Sequence, residues 1–384
     1  MPMIYLDHNA TTPLDPRVLK TMLPFFKKSF GNPSSYHRHG REAREALEKA
    51  RHTVAHLLGA MPREIVFTSS ATEANNLALR GVVRALRNKG RHIITSSIEH
   101  HAVLKTCRAL EQDGCQITFL PVDGCGRVDP NTVSRAIRRD TILITIMYAH
   151  NETGVIQPIS DISRIARSHN IIFHTDAVQA FGKIPIPPAR ELCDLMSLSS
   201  HKIYGPKGAG ALYIKRGTPI SPLLTGGHHE HGLRAGTENV PAIVGFAAAA
   251  EHAVKDCGKE AVRLAALRNR LEALLIDSVP DISINGKGVE RIPNTTNVSF
   301  LSVESESVLL HLDLLGICAS AGSACTTGDP EPSHVLLAMG CTPQQAQGAV
   351  RFSLGKSTTA RDIDTVAAVL TDIVKKLRSI SSVA

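Results

Sequence analysis

The chain has 384 residues, of which 43% are hydrophobic, enough to bury one large core and a second, smaller one. No apolar run approaches the ~18 residues of a membrane helix, which excludes a protein with membrane-spanning helices. The formal net charge of +8 comes from dispersed residues and only 4% of residues are aromatic, which argues against a dedicated nucleic-acid-binding protein.

The amino terminus and the cysteines indicate the compartment. The first residues, MPMIYLDHNATT, lack the basic and apolar regions of a signal peptide, so we expect a cytosolic protein. None of the eight cysteines forms a C-x-x-C pair, which argues against a zinc knuckle or a thioredoxin-like motif. In a reducing cytosol, most of them should be small buried hydrophobic residues.

From about residue 40 to residue 255, helical patterns alternate with short apolar runs. Helices are predicted at 41–58, 72–88 and 159–168 from the spacing of their apolar residues. The runs that predict strands lie at 65–70, 92–97, 117–122, 142–148, 171–176, 195–200 and 210–215. This alternation predicts an α/β domain with a large, mostly parallel sheet covered by helices on both faces.

The pattern changes near residue 258. A long amphipathic helix at 260–277 is followed by shorter strand candidates, a helix at 305–315, a strand at 348–354 and a final amphipathic helix. We interpret this part as a smaller α+β domain. The predicted domains are therefore 16–258 for the large one, and 1–15 with 259–384 for the small one.

Polar, chemically capable residues follow several predicted strands, at the edge where open parallel sheets bind ligands. They suit an aldehyde cofactor, which needs a lysine amine, an acid beside its ring nitrogen and a phosphate site. Lys202 is the lysine candidate, although a surface lysine would fit the same position. Asp176 is the acid candidate, and a helix cap is its alternative role. His100 would stack on a ring or transfer protons, unless it is purely structural.

Two further segments carry candidate functions. Residues 68–73 lie between a strand and a helix, where backbone N–H groups and the Thr72 hydroxyl would bind phosphate or merely cap the helix. Small and turn-forming residues surround Cys325, which predicts an accessible thiol, whereas Cys318 lies in an apolar run and should be inert. The segments GPKGAG and LGKST do not fit an ATP-binding P-loop.

These segments together resemble the NifS/IscS cysteine desulfurases, which are fold-type I enzymes that depend on pyridoxal phosphate (PLP). The matching segments keep the family's order over nearly the whole chain: YLDHNATT, GNPSSYH, FTSSATEANNLA, EHHAV, NETG, HTDAVQ, SSHKIYGPKGAGALY, RAGTENV, SAGSACTTG, EPSH and VRFSLG. The combination of SSHKIYGPKG with GSAC is the most specific. The chain ends at SISSVA, which by this resemblance favours the NifS type.

The resemblance implies roles for the cofactor-binding residues. Lys202 would bind PLP covalently, Asp176 would pair with the ring nitrogen and Gln179 with the ring hydroxyl, and His100 would stack on the ring. The remaining residues would hold the phosphate, the last of them from the partner subunit of a homodimer: Ala71, Thr72, Ser199, His201 and Thr237.

The resemblance also implies the reaction, the conversion of L-cysteine to L-alanine. Asn151 and Arg351 would bind the substrate carboxylate, Lys202 would remove the Cα proton, and Cys325 would take the sulfur as a persulfide. His100 is the candidate base for the thiol. The loop between Cys325 and Ser333 matches the longer form of the family, which delivers sulfur to a separate acceptor protein such as an iron–sulfur scaffold.

Two alternatives remain open in the sequence. A selenocysteine lyase has the same fold, and a non-catalytic sulfur-relay protein would use Cys325 but would need neither Lys202 nor Asp176. Two departures from the family pattern are Ser70, where glycine is usual, and the extra histidines at 228–231, for which no functional metal is expected.

Overall fold

The computed structural model describes residues 3–321 and 332–380, which form thirteen strands and twelve α-helices. The strands are Ile4–Tyr5 (β1), Ile65–Thr68 (β2), His92–Ser96 (β3), Gln116–Leu120 (β4), Thr141–Thr145 (β5), Ile172–Asp176 (β6), Leu195–Ser199 (β7), Gly210–Ile214 (β8), Ile282–Ile284 (β9), Thr295–Phe300 (β10), Ile317–Cys318 (β11), Ser320–Ala321 (β12) and Ala349–Ser353 (β13). The helices are Pro16–Lys27 (α1), Arg38–Leu57 (α2), Ala71–Leu86 (α3), His101–Gln112 (α4), Pro130–Ala136 (α5), Ile159–Ser168 (α6), Ala189–Leu192 (α7), Val240–Ser278 (α8), Ser305–Leu314 (α9), His334–Ala338 (α10), Pro343–Gln347 (α11) and Ala360–Ile380 (α12).

The large sheet has seven strands in the order β2-β8-β7-β6-β5-β3-β4. β8 runs antiparallel to both of its neighbours, and the other pairs are parallel, which confirms the prediction of a mostly parallel sheet. Apolar clusters cover both faces of this sheet. The parallel strands therefore end at one edge, where the side chains that follow them converge.

The carboxy-terminal part forms a four-stranded antiparallel sheet in the order β12-β13-β10-β9. The amino-terminal β1 pairs with β11, so the amino-terminal segment lies with the carboxy-terminal part of the chain. A separate apolar cluster forms its core. No helix in residues 3–321 and 332–380 has both the length and the apolarity needed to cross a bilayer.

A single helix of 39 residues, α8, joins the two cores. Phe246 and Ala250 pack in the core of the large sheet, whereas Leu271 and Leu275 pack in the core of the small one. The prediction of a helix that begins at residue 260 is wrong at its start, because the same helix already begins at Val240. The polar run near residue 258 resembles a helix end, but packing at both ends keeps the segment helical.

A buried ion pair fixes the strand that leads into the phosphate-binding candidate. The Arg51 guanidinium donates two hydrogen bonds to the Glu230 carboxylate, of 2.7 and 2.8 Å, and both residues are buried. The same carboxylate accepts from the Phe67 amide at 2.8 Å, and Arg51 also donates to the Ile65 carbonyl. The pair therefore holds β2 by its backbone.

Removal of this carboxylate should destabilise the fold. We expect Glu230→Ala to lower the free energy of unfolding by about 3–5 kcal/mol, because it leaves the Arg51 charge buried and unpaired. Urea unfolding at a fixed protein concentration measures the difference. The matched control is Glu42→Ala, which breaks an exposed pair with Arg38 and should leave the midpoint unchanged. Equal midpoints for Glu230→Ala and wild type would contradict the role of the buried pair.

Candidate active site

A cavity of about 400 Å³ lies at the carboxyl end of the parallel strands. This volume is in the range of small-molecule sites. It is lined by side chains at or after the ends of β3, β5, β6 and β7 and by the start of α3. Four lining residues come from other parts of the chain, namely Asn9, Ala10, His334 and Arg351. The sequence-based prediction that the strand ends gather at one site is thus confirmed for the described residues.

Lys202 ends the short 3₁₀ turn Ser200–Lys202 that follows β7, and it reaches the cavity from the side of the amino-terminal segment. Its Nζ donates to the carbonyl oxygens of Asn9 and Ala10, at 2.6 and 2.7 Å. The amine is thus held in place by backbone groups of a segment that is remote in sequence.

Asp176 is the last residue of β6 and is buried. Its Oδ2 accepts from Asn75 Nδ2 at 2.7 Å, and its Oδ1 accepts from the Val178 amide at 3.0 Å. Each carboxylate oxygen keeps a second lone pair for a further donor. Asp176 therefore presents a carboxylate to the cavity and supports the turn that follows β6. Its alternative predicted role as a helix cap is wrong, because the next helix begins only at Ala189.

The phosphate-binding candidate is the first turn of α3, a helix of 16 residues. The amides of Ala71 and Thr72 have no acceptor within the helix and point outward from its positive end. Ser70 caps the helix by accepting from the Glu73 amide, and its φ of −169° is extended backbone that any residue adopts, so serine replaces glycine without strain. Gly210 is needed opposite this turn, because a Cβ there would lie 2.6 Å from the Ser70 carbonyl carbon.

Two more residues of the predicted phosphate site line the same end of the cavity. Ser199 Oγ is buried and has no hydrogen-bond partner among the described residues, so it has capacity for a ligand. His201 Nδ1 contacts Thr11 Oγ1 at 3.1 Å. Burial, reinforced by the positive charge of Lys202, lowers the pKa of His201 to about 4, so this ring is neutral at pH 7.

His100 precedes α4 and caps it, because its Nδ1 accepts from the Ala102 amide at 3.1 Å. Burial lowers the pKa of His100, so the ring is neutral at pH 7. In a neutral imidazole with Nδ1 as acceptor, the proton is on Nε2. His100 thus has a hydrogen-bond donor at Nε2. To act as a base for a thiol through Nδ1, it would have to give up the hydrogen bond from the Ala102 amide.

His101, for which the sequence suggested no role, lies against the small domain. Its ring centroid is 5.0 Å from that of His334, the first residue of α10. His334 Nε2 also contacts the Glu99 carbonyl at 3.3 Å. This pair of rings closes one side of the cavity between the two parts of the molecule.

Arg351 lies on β13, and its side chain is buried beside the cavity. One Nη donates to Asp7 Oδ1 at 2.8 Å and the other to the Asn151 carbonyl at 3.2 Å, whereas Nε has no partner among the described residues. Asn151 itself lines the cavity. The guanidinium is thus placed to bind a carboxylate of a ligand. Asp7 would compete with this ligand, because its carboxylate already accepts from Arg351.

Two predicted site residues do not belong to the cavity as described. Thr237 is exposed and does not line the cavity of this chain. Cys325 lies outside the described residues. None of the cysteines in residues 3–321 and 332–380 lines the cavity, and the pKa of Cys318 is raised by burial, as expected for an inert thiol.

The chain on both sides of Cys325 is nevertheless fixed at the cavity. On the amino-terminal side, Ser320 of β12 pairs with Arg351 of β13. On the carboxy-terminal side, Ser333 Oγ donates to Glu152 Oε2 at 2.6 Å. Burial raises the pKa of Glu152 to about 7. The described chain on both sides of residues 322–331 is therefore bound to two residues that line the cavity, Arg351 and Glu152.

Three groups at this site escaped the sequence-based prediction. Asn9 holds Lys202, Asn75 holds Asp176, and Glu99 lines the cavity with a pKa that burial raises to about 8. Glu99 Oε1 accepts from Ser96 Oγ at 2.7 Å. Asn9 and Asn75 become visible only when residues distant in sequence meet, whereas the carboxylate directly before His100 was a signal that could have been used.

The histidine-rich segment at 228–231 does not form a metal centre within residues 3–321 and 332–380, where no group of three or more histidines, cysteines or carboxylates could hold an ion. Glu230 of this segment is committed to Arg51. The segment therefore has a structural role through its carboxylate.

The cavity fits PLP in three respects. Ser199 Oγ and the free amides at the start of α3 form a site for a phosphate, the buried Asp176 presents a carboxylate for a ring N–H, and Lys202 supplies an amine for an aldehyde. All three groups line one cavity of suitable volume.

Comparison with known proteins agrees with this geometry. The sequence profile of the family described as "Aminotransferase class-V" matches residues 4–366. The chain is 51% identical to a "Cysteine desulfurase IscS" of Dictyoglomus turgidum, over 98% of this chain and 96% of that protein. It is 48% identical to a "Cysteine desulfurase" of Trichormus azollae, over 99% of this chain and 95% of that protein.

Among solved structures, a "NIFS-LIKE PROTEIN" superposes with a TM-score of 0.92 at 40% identity, over 97% of this chain and 100% of that chain. Relatives that carry the IscS name and the NifS name are thus both similar to this chain, so the similarities do not separate the two types. The extent of these matches and the composition of the cavity lead to one conclusion: the chain belongs to the cysteine desulfurases of the class-V aminotransferase family, which are PLP-dependent enzymes.

Proposed function

We propose that the chain converts L-cysteine to L-alanine and transfers the sulfur to Cys325, from which it passes to an acceptor. The observation that carries this proposal is the convergence of Lys202, Asp176 and Arg351 on one cavity. Residues that line this cavity also bind the described chain on both sides of residues 322–331. The name cysteine desulfurase of the curated relatives supports cysteine over selenocysteine as the substrate.

PLP, when bound, supplies an aldehyde that joins amines covalently and an electron-poor ring that takes up electrons from the substrate Cα. Asp176 would hold the ring nitrogen through its free lone pairs, and Gln179 would donate to the ring hydroxyl. Ala71, Thr72, Ser199 and His201 would hold the phosphate.

Arg351 and Asn151 would orient the substrate by its carboxylate. The guanidinium already holds one carboxylate, Asp7, in a nearly buried position. A substrate carboxylate would use the unpartnered Nε or replace Asp7, and either arrangement directs the substrate amine toward Lys202. Orientation of this kind supplies a large part of the rate in bound reactants.

Lys202 and Cys325 would divide the chemistry. Lys202 removes the proton from Cα and later returns one. The Cys325 thiolate attacks the substrate sulfur, so that the S–Cβ bond breaks and an S–S bond forms. The electron pair of the broken bond stays with the carbon skeleton, and Cβ takes up a proton equivalent to the one that the Cys325 thiol gave up. One cysteine and one enzyme thiol thus give one alanine and one enzyme persulfide, with no external oxidant. His100, protonated at Nε2, donates a hydrogen bond to the reacting groups.

The partners follow from the same site. The exposed Thr237 would complete the phosphate site of a second subunit, which makes the active unit a homodimer. The longer segment between Cys325 and Ser333 supports delivery of the sulfur to a separate protein, such as an iron–sulfur scaffold. A reducing cytoplasm suits the enzyme, because the described cysteines are all free thiols.

Loss of the lysine should remove both colour and activity. Lys202→Ala should lack the visible absorbance of covalently bound cofactor, and its turnover of cysteine should fall at least about a hundredfold, because the proton-transfer group is gone. Absorbance spectra and an alanine assay measure the two effects. Lys207→Ala, at an exposed position five residues further along the chain, is the control and should match wild type. Retained absorbance in Lys202→Ala would show that another amine binds the cofactor.

Loss of the thiol should separate cofactor binding from sulfur transfer. Cys325→Ser should keep the absorbance of the bound cofactor but form neither alanine nor protein persulfide, because a hydroxyl is too weak a nucleophile for the substrate sulfur. Persulfide labelling and alanine release measure this. Cys125→Ser, whose thiol lies away from the cavity, is the control. Unchanged alanine release by Cys325→Ser would contradict the role of Cys325.

Replacement of the carboxylate-binding group should affect substrate binding most. Arg351→Lys should raise the KM for cysteine roughly tenfold to a hundredfold, because a lysine lacks the planar fork that holds two oxygens. Steady-state kinetics give KM, and the cofactor absorbance should not change. An unaltered KM would mean that another group binds the substrate carboxylate.

A further inference from the structure

A second lysine lies behind the active site and has no role in the reaction proposed above. Lys183 follows β6 by seven residues and is partly buried. Its Nζ donates to Asn9 Oδ1 at 2.9 Å and also to Gln179 Oε1. Burial and the positive charges of Lys202 and Arg351 lower the pKa of Lys183. Both contacts need only N–H donors, which the amine has in either protonation state.

These contacts determine which way the Gln179 amide points. Gln179 Nε2 donates to the Asn9 carbonyl at 3.1 Å, a group that can only accept. Its Oε1 faces the amine of Lys183, which donates. The assignment of oxygen and nitrogen in this amide is therefore set from both ends. Nε2 carries a second N–H, and Gln179 lines the cavity.

The orientation of Asn9 is fixed independently. Its Nδ2 donates to the Asn151 carbonyl at 3.0 Å, which leaves Oδ1 to face Lys183. Without Lys183, the buried Gln179 Oε1 would lose its donor, and the Asn9 carbonyl alone would oppose rotation of the amide by half a turn.

We propose that Lys183 is a positioning residue, which holds the Gln179 amide so that its free N–H points to an electron-rich oxygen of the bound cofactor. The inference rests on the proposed contact between Gln179 and the ring hydroxyl. An oxygen that receives this hydrogen bond is less basic, so Lys183 controls the cofactor's charge state without touching it. Removal of the donor raises the pH at which the absorbance of the bound cofactor changes.

The test compares two uncharged replacements. Lys183→Met removes every N–H donor, whereas Lys183→Gln keeps two N–H donors on an uncharged amide. We expect Lys183→Met to raise the midpoint of the pH titration of the bound cofactor by about one unit and to weaken PLP binding about tenfold. Lys183→Gln should remain close to wild type. Both readouts are taken without substrate, from absorbance titrations of the purified holoenzyme and from titration of the apoenzyme with PLP.

A double-mutant cycle with Gln179→Ala identifies the route of the effect. If Lys183 acts through Gln179, then Lys183→Met causes no further shift of the midpoint in the Gln179→Ala background. An equal shift in both backgrounds, or no shift in either, overturns the proposal. Should Lys183→Met fail to fold, the same decision rests on Lys183→Gln, where a shift as large as that of Gln179→Ala overturns it.

The same set of proteins separates this inference from the proposed function. A wild-type enzyme that releases no alanine from cysteine would refute the proposed function, whatever the titrations show. If Gln179→Ala alone leaves the midpoint unchanged, the contact of Gln179 with the ring hydroxyl is refuted and the role of Lys183 with it, while the cysteine desulfurase activity stands.

Discussion

One buried asparagine connects the groups on which the reaction depends. Asn9 binds Lys202 and Gln179 through its carbonyl, Lys183 through its side-chain oxygen, and the Asn151 backbone through its side-chain nitrogen. Because one residue makes all of these hydrogen bonds, a shift of Asn9 would move all of its partners. Because the donors and acceptors are already matched, the geometry exists before any ligand arrives, which is the condition for efficient catalysis by orientation.

The contacts of Asn9 also explain why an amino-terminal segment belongs to a site built on a parallel sheet. Strand β1 pairs with β11 of the small domain, and the chain then crosses to the carboxyl edge of the large sheet. The Asn9 side-chain oxygen accepts a hydrogen bond from Asn294 Nδ2, and the Asn9 backbone N–H donates to Ser353 Oγ. Both partners lie in the carboxy-terminal part of the chain. The cavity thus depends on both cores and lies where they meet.

The sequence predicted the parts of the site that follow from local pattern. A parallel strand ends where its apolar run ends, so the sequence alone places Asp176 and Lys202 at one edge of the sheet. The contacts of Asn9 could not be predicted in this way, because they join residues more than 100 positions apart through single hydrogen bonds. The length of α8 was not predicted either, because the local composition near residue 258 resembles a helix end. Contacts with distant residues keep this segment helical.

The shared helix α8 has a mechanical consequence. Its first half packs against α1 and α2 and its second half against α12. Each core therefore contains one half of the same continuous helix. A fragment cut at residue 258 would keep half of this helix with an apolar face exposed, and neither half would be a self-sufficient folding unit. The two cores should therefore melt in a single cooperative step, despite their separate hydrophobic interiors.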